Sequence, residues 1–260
     1  MAERTGAADP ARVIPLLWRS EVRTGRSGEV RTGRSGLSLD TVVATGIELA
    51  DDAGIAQLSM RRLAERLGVG AMTLYGHVPG KAELLELMVD QVFAEVEYDP
   101  TGPADPADWR AGLERVAEQN LNLLFRHRWL TDVDTTRPPL GPGTIAKYDA
   151  ELRPLIGTGL DDVEIDRTLA LVLDHVRSSA RQLFLAEAPP TADGDWWEQA
   201  GPLLAAALDP ARYPVASRVG QAAGEQYGAP ADPRGAYTFG LRTILDGVAS
   251  LIARRSPSTG

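Results

Sequence analysis

Hydrophobic residues along most of the chain recur every three or four positions, which is the spacing of one face of an α-helix. The first clear face follows Leu37 and is formed by Leu39, Val42, Val43, Ile47 and Ala50. Ser38 precedes this face and is a good N-cap, because its hydroxyl can accept a hydrogen bond from a free backbone N–H group. Gly54 ends the helix. No convincing two-residue alternation of a strand appears, so the pattern predicts an all-α fold.

Two short helices follow, with a tight turn between them. The first is capped by Ser59 and ends before Gly68, at a position that favours a left-handed backbone. Its inward residues are Leu63, Ala64 and Leu67. The second spans about residues 70–77. Because the small side chain of Ala64 lets the two helices approach closely, the pair predicts a helix-turn-helix, whose second helix lies in the major groove of DNA.

Longer helices account for the rest of the pattern. One starts near Lys81, after Pro79 and Gly80 interrupt the chain. Further helices are predicted over residues 109–125, 144–156, 161–186 and 234–254, with loops at 137–143 and 187–195. The sequence therefore divides into three parts, which are an N-terminal arm (1–36), a three-helix helix-turn-helix domain (37–83) and a larger helical domain (84–256).

A direct repeat dominates the N-terminal arm. The octapeptide EVRTGRSG occupies residues 21–28 and again residues 29–36. A segment so rich in Gly, Ser, Thr and Arg has too few apolar groups to fold, so we predict a flexible basic arm over residues 1–36. Two interpretations remain open, namely phosphate contact or minor-groove insertion of an arginine, and a duplication with no role.

The charge of the chain is unevenly distributed. The net charge of −9 argues mildly against a nucleic-acid partner, because polyphosphate attracts cations. Residues 57–81, however, contain four cations and only one acid, Glu65. This small basic window overlaps the predicted helix-turn-helix, and it is where a phosphate backbone is expected to dock.

Several function classes find no support in the sequence. The absence of cysteine excludes disulfides, thiolate zinc sites and cysteine nucleophiles, and it favours a cytoplasmic protein. The sequence has no run of 18 apolar residues, so it predicts no membrane span, and it shows no recognisable signal peptide. Paired carboxylates, a Ser-His-Asp order, a P-loop and an HExxH string are all missing. We therefore predict no enzyme, no cofactor and no metal site.

The whole string over residues 58–88, LSMRRLAERLGVGAMTLYGHVPGKAELLELM, resembles the DNA-binding helices of the tetracycline-repressor (TetR) family. The resemblance covers about residues 37–90, and TLYGHVPGKAELL is its most specific part. The closing string GLRTILDGVASL, at residues 240–251, is similar to the C-terminal ligand-binding and dimerisation region of repressors of that family, particularly actinobacterial ones.

The resemblance implies a set of operator contacts. They are Arg61, Ala71, Met72, Thr73, Tyr75, Gly76, His77 and Lys81. In the family, the positions matching Tyr75, His77 and Lys81 mostly contact phosphates, and the position of Arg61 reaches a guanine edge. The positions of Ala71, Met72 and Gly76 set sequence preference. Gly76 departs from the bulkier residues that are frequent there.

The resemblance also implies a ligand-responsive repressor that binds a palindromic operator as a homodimer. A small-molecule inducer, such as an antibiotic or a metabolite, would release it. We expect helices 161–186 and 234–254 of both subunits to form the dimer seam, with Gly240 and Gly247 allowing close approach. An intrachain core is the alternative for that stripe. A transcriptional activator, or a helical-bundle binding protein or enzyme, remains the alternative function.

Candidate ligand contacts combine apolar walls with a few polar groups, as small-molecule sites do. They are Trp109, Asn120, Phe125, His127, Trp129, His175, Arg181 and Phe184. Three alternatives remain open. Trp129 can be a simple core residue, the two histidines can be hydrogen-bonded structural residues, and Arg181 can be a surface charge.

Overall fold

The computed structural model describes residues 3–19, 37–96, 106–187 and 193–255, and its regular structure is almost entirely helical. The helices are α1 (Pro10–Leu17), α2 (Leu39–Ala53), α3 (Met60–Leu67), α4 (Ala71–Tyr75), α5 (Lys81–Phe93), α6 (Trp109–Arg126), α7 (Pro142–Leu152), α8 (Asp162–Ala186), α9 (Asp193–Ala207), α10 (Pro214–Tyr227) and α11 (Pro233–Arg255). Short 3-10 turns cover Ile55–Gln57, Pro106–Asp108, Arg128–Asp132 and Arg153–Leu155. The predicted all-α class is confirmed.

The helix boundaries around the predicted helix-turn-helix follow from local chemistry. The Ser38 hydroxyl accepts a hydrogen bond from the backbone N–H of Thr41 at 3.0 Å, which caps α2. The Ser59 hydroxyl caps α3 in the same way. Gly68 ends α3 with φ of 66°, a left-handed conformation that costs glycine little. These caps and this turn are as the sequence predicts.

Helix α5 is the central element that joins the two parts of the chain. It packs against α1, α2 and α7, and most of its residues are buried. The buried core is continuous from α2, through α5, to the helices α6, α8 and α11 that follow. A movement of α5 is therefore expected to displace residues both around α2 and around α6, α8 and α11, because close-packed interiors transmit strain.

Helix α8 packs between α6 and α11. Helix α11 buries Leu245 and Val248, and the rest of its apolar stripe is half-buried. A Cβ on Gly240 would lie 2.3 Å from the His175 ring of the same chain. This corrects one expectation, because Gly240 serves the close approach of α8 and α11 within the subunit. Nothing lies within 4 Å of a Cβ built on Gly247.

Residues 3–19 differ from the predicted flexible arm. They form strand β1 (Glu3–Arg4), which pairs in parallel with β2 (Val133–Asp134), and then α1. Asp9 caps α1 by accepting a hydrogen bond from the Ala11 N–H, and the side chains of Val13 and Leu17 are buried. Because the glycine-rich repeat dominates the composition of residues 1–36, it hid this short amphipathic helix. The repeat itself, at residues 21–36, lies outside the described residues.

Two helices occupy a stretch for which the sequence pattern indicated no element. The described side chains of α9 and α10 contribute nothing to the buried core, and those on α10 are exposed or only half-buried. The large exposed hydrophobic residues on these two helices are Trp196, Leu203, Leu204, Val215, Val219 and Tyr227. Helix α7 is also shorter than predicted, because Pro154 lacks the N–H that would continue it. Among the described residues, no helix is long and apolar enough to span a membrane.

Glu86, a buried residue of α5, is expected to make the stability of the chain depend on pH. Burial raises the pKa of its carboxyl above the ordinary value of 4.5, while the hydrogen bond that it accepts from the Gly6 N–H opposes this shift. A raised pKa in the folded state means a stabilising contribution that is complete below pH 4.5 and lost as the pH rises through the folded pKa.

We therefore expect Glu86→Gln to melt at a higher temperature than the wild type at pH 7. The advantage should shrink as the pH falls toward 4.5, because the folded chain then holds Glu86 mainly in its neutral form, as it holds glutamine. Thermal melts of both proteins between pH 4.5 and pH 7 measure this difference. A difference that stays constant over this range would show that ionised Glu86 carries no cost in the folded chain.

Candidate DNA-binding face and ligand cavity

Helix α4 presents nearly all of its outward side chains to solvent. Leu74 is fully buried and holds the helix against the core, as does Val78 just after it. Met72 is 84 % exposed and Tyr75 is 45 % exposed. Ala71 and Thr73 are exposed as well. An exposed short helix held by one buried leucine is suited to enter a DNA groove.

Gly76 lies one residue beyond the end of α4. The helix stops at Tyr75, earlier than predicted, and Gly76 is its C-cap with an ordinary right-handed φ of −69°. A Cβ at this position would lie 3.2 Å from the Thr73 carbonyl oxygen, which is tight but has no backbone strain. His77 is half-buried. Gly76 therefore leaves the end of the exposed face free of any side chain.

All four cations of the basic window have partners inside the chain. Arg61 Nε lies 2.8 Å from Glu65 Oε1, and Arg66 Nη2 lies 3.4 Å from Asp52 Oδ2. The other two pairs are Arg62 with Gln57 and Lys81 with Glu3. Acids from outside the window therefore offset much of its positive charge, a fact that the sequence alone did not show. A phosphate backbone would compete with these partners for the same side chains.

A cavity of about 590 Å³ lies behind α5, between α6, α7, α8 and the loop that precedes α7. Its apolar wall includes Phe93, Leu124, Leu140, Ile145, Leu169 and Leu173. Its polar residues include Asn120, Tyr148, Asp166 and Arg177. An apolar chamber of this size with a few polar groups suits a small organic molecule.

A buried charge network lines one side of this cavity. Lys147 Nζ lies 2.6 Å from Glu151 Oε1, one turn further along α7, and the Asn120 amide donates to the same oxygen at 2.5 Å. Burial lowers the pKa of the Lys147 ammonium, while the adjacent Glu151 carboxylate raises it. Both charged side chains are at least nine-tenths buried, so each depends on the other to offset the cost of desolvation.

Arg177 connects the cavity to the segment around β2. Its Nη1 donates to the carbonyl oxygens of Leu130 and Val133 at 3.0 and 2.9 Å, and its Nη2 donates to the Thr135 hydroxyl at 2.8 Å. Burial lowers the pKa of this guanidinium, and Asp174 acts in the opposite direction. Arg177 thus anchors one loop of the cavity wall to α8.

Comparison with known proteins assigns the chain to a family. The model for "Bacterial regulatory proteins, tetR family" matches residues 42–88, and the model for "Tetracyclin repressor-like, C-terminal domain" matches residues 102–252. The chain belongs to the TetR family. The resemblance stated from the sequence is therefore confirmed.

Individual relatives of this TetR-family chain agree. The HTH-type transcriptional repressor DrrR1 of Streptomyces coeruleorubidus is 38 % identical over 259 residues, which is 97 % of this chain and 90 % of that one. The crystal structure of apo ActR from Streptomyces coelicolor has a TM-score of 0.70 at 26 % identity and covers 85 % of this chain and 98 % of that chain. ActR in complex with actinorhodin has a TM-score of 0.69 at 27 % identity, with coverage of 83 % and 98 %.

Family membership decides the class of function. TetR-family proteins are DNA-binding regulators rather than enzymes. The chain is accordingly a ligand-responsive DNA-binding transcriptional repressor. Within the part of the chain that the structure describes, no three His, Asp or Glu side chains are grouped so that they could hold a metal ion.

Of the predicted ligand contacts, only Asn120 lines the cavity behind α5. Trp129, Arg181 and Phe184 line a separate opening of about 280 Å³ near the end of α2. Phe125 packs edge-on against the Phe184 ring at 4.8 Å. Trp129 and Phe184 therefore lie beside the end of α2, and Phe125 packs against Phe184.

The predicted histidines have structural partners. His127 is buried and hydrogen-bonds both Asp51 and Glu95, at 2.8 and 3.0 Å. His175 stacks on Tyr237 with ring centroids 5.5 Å apart, and its Nε2 lies 2.9 Å from the Tyr237 carbonyl oxygen.

The other polar candidates are placed in similar ways. The Trp129 indole N–H donates to Asp51 at 2.8 Å. Trp109 is half-buried against the core. Arg181 is exposed, 4.0 Å from Asp132. The open alternatives of a core tryptophan, hydrogen-bonded histidines and a surface arginine are thus the arrangements that the structure shows.

Sequence reasoning missed the charged residues of the cavity, Lys147, Glu151 and Arg177. The spacing of Lys147 and Glu151, four residues apart on a predicted helix, was visible. Such pairs usually lie on a solvated helix face, so the spacing alone did not indicate burial. Sequence reasoning also missed Glu3, the partner of Lys81, because it lay in the predicted arm.

Proposed function

We propose that this chain represses transcription by binding a palindromic operator as a homodimer, and that a small molecule in the cavity behind α5 releases it. One observation carries the proposal. Helix α5 begins with Lys81, next to the exposed α4, and ends with Phe93 in the cavity wall. A ligand that shifts this helix changes the position of the DNA-binding face, and it lowers DNA affinity by its differential affinity for the two states.

On the DNA, we assign the proposed roles from exposure and chemistry. We assign Met72 and Ala71 to contacts with thymine methyl groups in the major groove, and Thr73 and Tyr75 to hydrogen bonds with the DNA backbone. Arg61, which is highly exposed, can reach a guanine edge after it leaves Glu65. At the end of the helix, we assign the half-buried His77 to a backbone phosphate. We assign the adjacent Gly76, which has no side chain, to the positions that set sequence preference.

Lys81 is assigned to a phosphate. Lys81→Ala should weaken binding about equally for all duplex sequences, because phosphates carry no sequence information. It should also reduce the slope of log affinity against log salt by about 1 per subunit. Titration of a duplex at several salt concentrations measures this slope. An unchanged slope would show that Lys81 contacts no phosphate.

The dimer is proposed on the unpartnered apolar surface of α8 and α11. Val163, Leu171 and Phe239 are exposed on these helices, although the two helices pack together within the subunit. Gly247 leaves open space on α11 for a second helix. The two-fold axis of such a dimer would place two copies of α4 on successive major grooves.

The inducer is proposed to be an antibiotic or a metabolite of moderate size. The solved relative ActR binds actinorhodin, as its structure shows. The cavity of this chain has a volume of about 590 Å³, within the range of small-molecule sites. We place the repressor in the cytoplasm, together with its operator.

Selection of bound duplexes from a random-sequence pool tests the proposal. An inverted repeat with half-sites about one helical turn apart is the expected product. Failure to enrich any sequence would overturn the proposed operator binding. In vitro transcription from a promoter that carries the selected duplex then tests whether binding at this sequence represses, since a bound repressor lowers the transcript level.

A further inference from the structure

Residues 3–17, which we call the N-terminal strap, contact both the DNA-binding helices and the cavity wall. At its first residue, Glu3 Oε1 lies 2.8 Å from Lys81 Nζ, and both side chains are about 30 % exposed. A carboxylate that pairs with an ammonium competes with any phosphate for the same donors. The strap therefore occupies the lysine that the proposed function assigns to DNA.

The strap is built into the fold rather than resting on the surface. The Gly6 N–H donates to the Glu86 carboxylate of α5, and the nearly inaccessible Thr5 hydroxyl donates to the Arg137 carbonyl oxygen at 2.6 Å. Gly6 has φ of +71°, and a Cβ there would lie 2.4 Å from the Arg137 Cβ. Only glycine fits this left-handed, crowded position at low cost. The position of Glu3 is thus fixed from several sides.

A chain of direct contacts leads from the strap to the ligand cavity. Strand β1 pairs with β2, and Arg177 donates to the Val133 carbonyl oxygen of that strand at 2.9 Å. The same guanidinium holds the Thr135 hydroxyl, and both Arg177 and Thr135 line the cavity. Anything that orders or releases Arg177 in the cavity acts on β2, and through it on the strap and on Lys81.

We propose that the N-terminal strap is an autoinhibitory element that withholds Lys81 from DNA and links this restraint to the ligand cavity through Arg177. This proposal rests on the proposed function and adds its regulation. When the strap is docked, Lys81 is paired with Glu3 and affinity for DNA is low. Binding DNA requires the Glu3–Lys81 pair to break. A ligand in the cavity that stabilises Arg177 and β2 keeps the strap docked, and it therefore favours the repressor that is free of DNA.

Amine acylation tests the strap without any DNA. The chain contains only two lysines, Lys81 and the buried Lys147, so the two sites are easily separated by mass spectrometry after treatment with acetic anhydride. We expect Glu3→Gln to raise the acylation rate of Lys81 by about 2- to 5-fold, which is the value of a partly exposed ion pair. The rate at Lys147 should not change. An unchanged rate at Lys81 would overturn the proposal.

A second pair of variants tests the link to the cavity. Arg177→Met should also raise the acylation rate of Lys81. This effect would be indirect, because Lys81 is paired with Glu3 and Arg177 bonds the Val133 carbonyl oxygen of β2. Arg181→Met is the matched control on the same helix, because Arg181 is exposed and lies outside the large cavity. Melting curves confirm that both variants are folded at the labelling temperature. If Arg177→Met labels like Arg181→Met, the link does not exist.

The DNA-binding consequence is measured on the duplex selected by the wild type. Glu3→Gln should tighten binding by about 4- to 25-fold for a dimer, since two pairs are removed. In a Lys81→Ala background the same change should have a much smaller effect, because only the general loss of negative charge remains. Equal effects in both backgrounds would contradict the strap. If the wild type selects no duplex, the proposed function fails, while the acylation rates still decide the strap contact.

Discussion

Replacement of Lys147 by methionine is expected to lower the free energy of unfolding by about 3–5 kcal/mol. The lysine and Glu151 are both buried in the cavity wall, with the charged atoms 2.6 Å apart. Removal of the ammonium takes away the cation that lies 2.6 Å from this buried carboxylate, and a desolvated carboxylate is costly without such compensation. Urea unfolding of the wild type and the variant measures the difference.

Two control variants make this prediction specific. Lys147→Met combined with Glu151→Gln should recover most of the lost stability, because the amide oxygen still accepts from Asn120 and neither residue of the pair is charged. Arg153→Met removes the cation of an exposed pair with Asp149 on the same segment and should cost less than about 1 kcal/mol. A single Lys147 variant as stable as the Arg153 variant would show that the network is solvated.

Replacement of Met72 by glutamate should reduce affinity for the selected duplex by about 100-fold or more. Met72 is the most exposed large hydrophobic residue of the described chain, so the fold has no reason to change. In the proposed complex its side chain enters the groove in both subunits, where a carboxylate faces phosphates and base edges. Like charges brought together in this way cost several kcal/mol.

Ala211→Glu provides the matched control for this variant. It makes the same change of charge on an exposed residue, in the turn between α9 and α10. We expect it to bind the duplex within about threefold of the wild type, since a distant surface charge is largely screened by salt. If both variants lose affinity to the same extent, general repulsion rather than α4 explains the loss.

Local chemistry was sufficient to predict the helices of the helix-turn-helix. The caps at Ser38 and Ser59 and the left-handed Gly68 act within a few residues, so they could be located from the sequence. Burial of Leu74 and exposure of Met72 follow from the three- and four-residue spacing of apolar positions. The end of α4 was misplaced because helix boundaries depend on weak preferences.

The cavity and the strap depend on contacts that no local pattern contains. Asn120 and Glu151 are thirty-one residues apart and meet only because α6 and α7 pack together. The strap pairs Thr5 with Asp134 across 129 residues. Sequence periodicity identifies which face of a helix is apolar, but it does not show which other element will cover that face. The aromatic residues that we predicted as ligand contacts therefore mostly pack against the core or against one another rather than line the cavity.

Directed cleavage of DNA from position 72 tests the central claim most directly. The chain has no cysteine, so Met72→Cys provides a single attachment point for an iron chelate that cuts nearby DNA. The account predicts two cleavage clusters on the selected duplex, related by two-fold symmetry, centred on major grooves and about one helical turn apart. The same chelate on Ala211→Cys should give no localised cuts. Cleavage from position 72 that is absent, unlocalised or confined to one half-site would contradict a symmetric pair of α4 helices in the major groove.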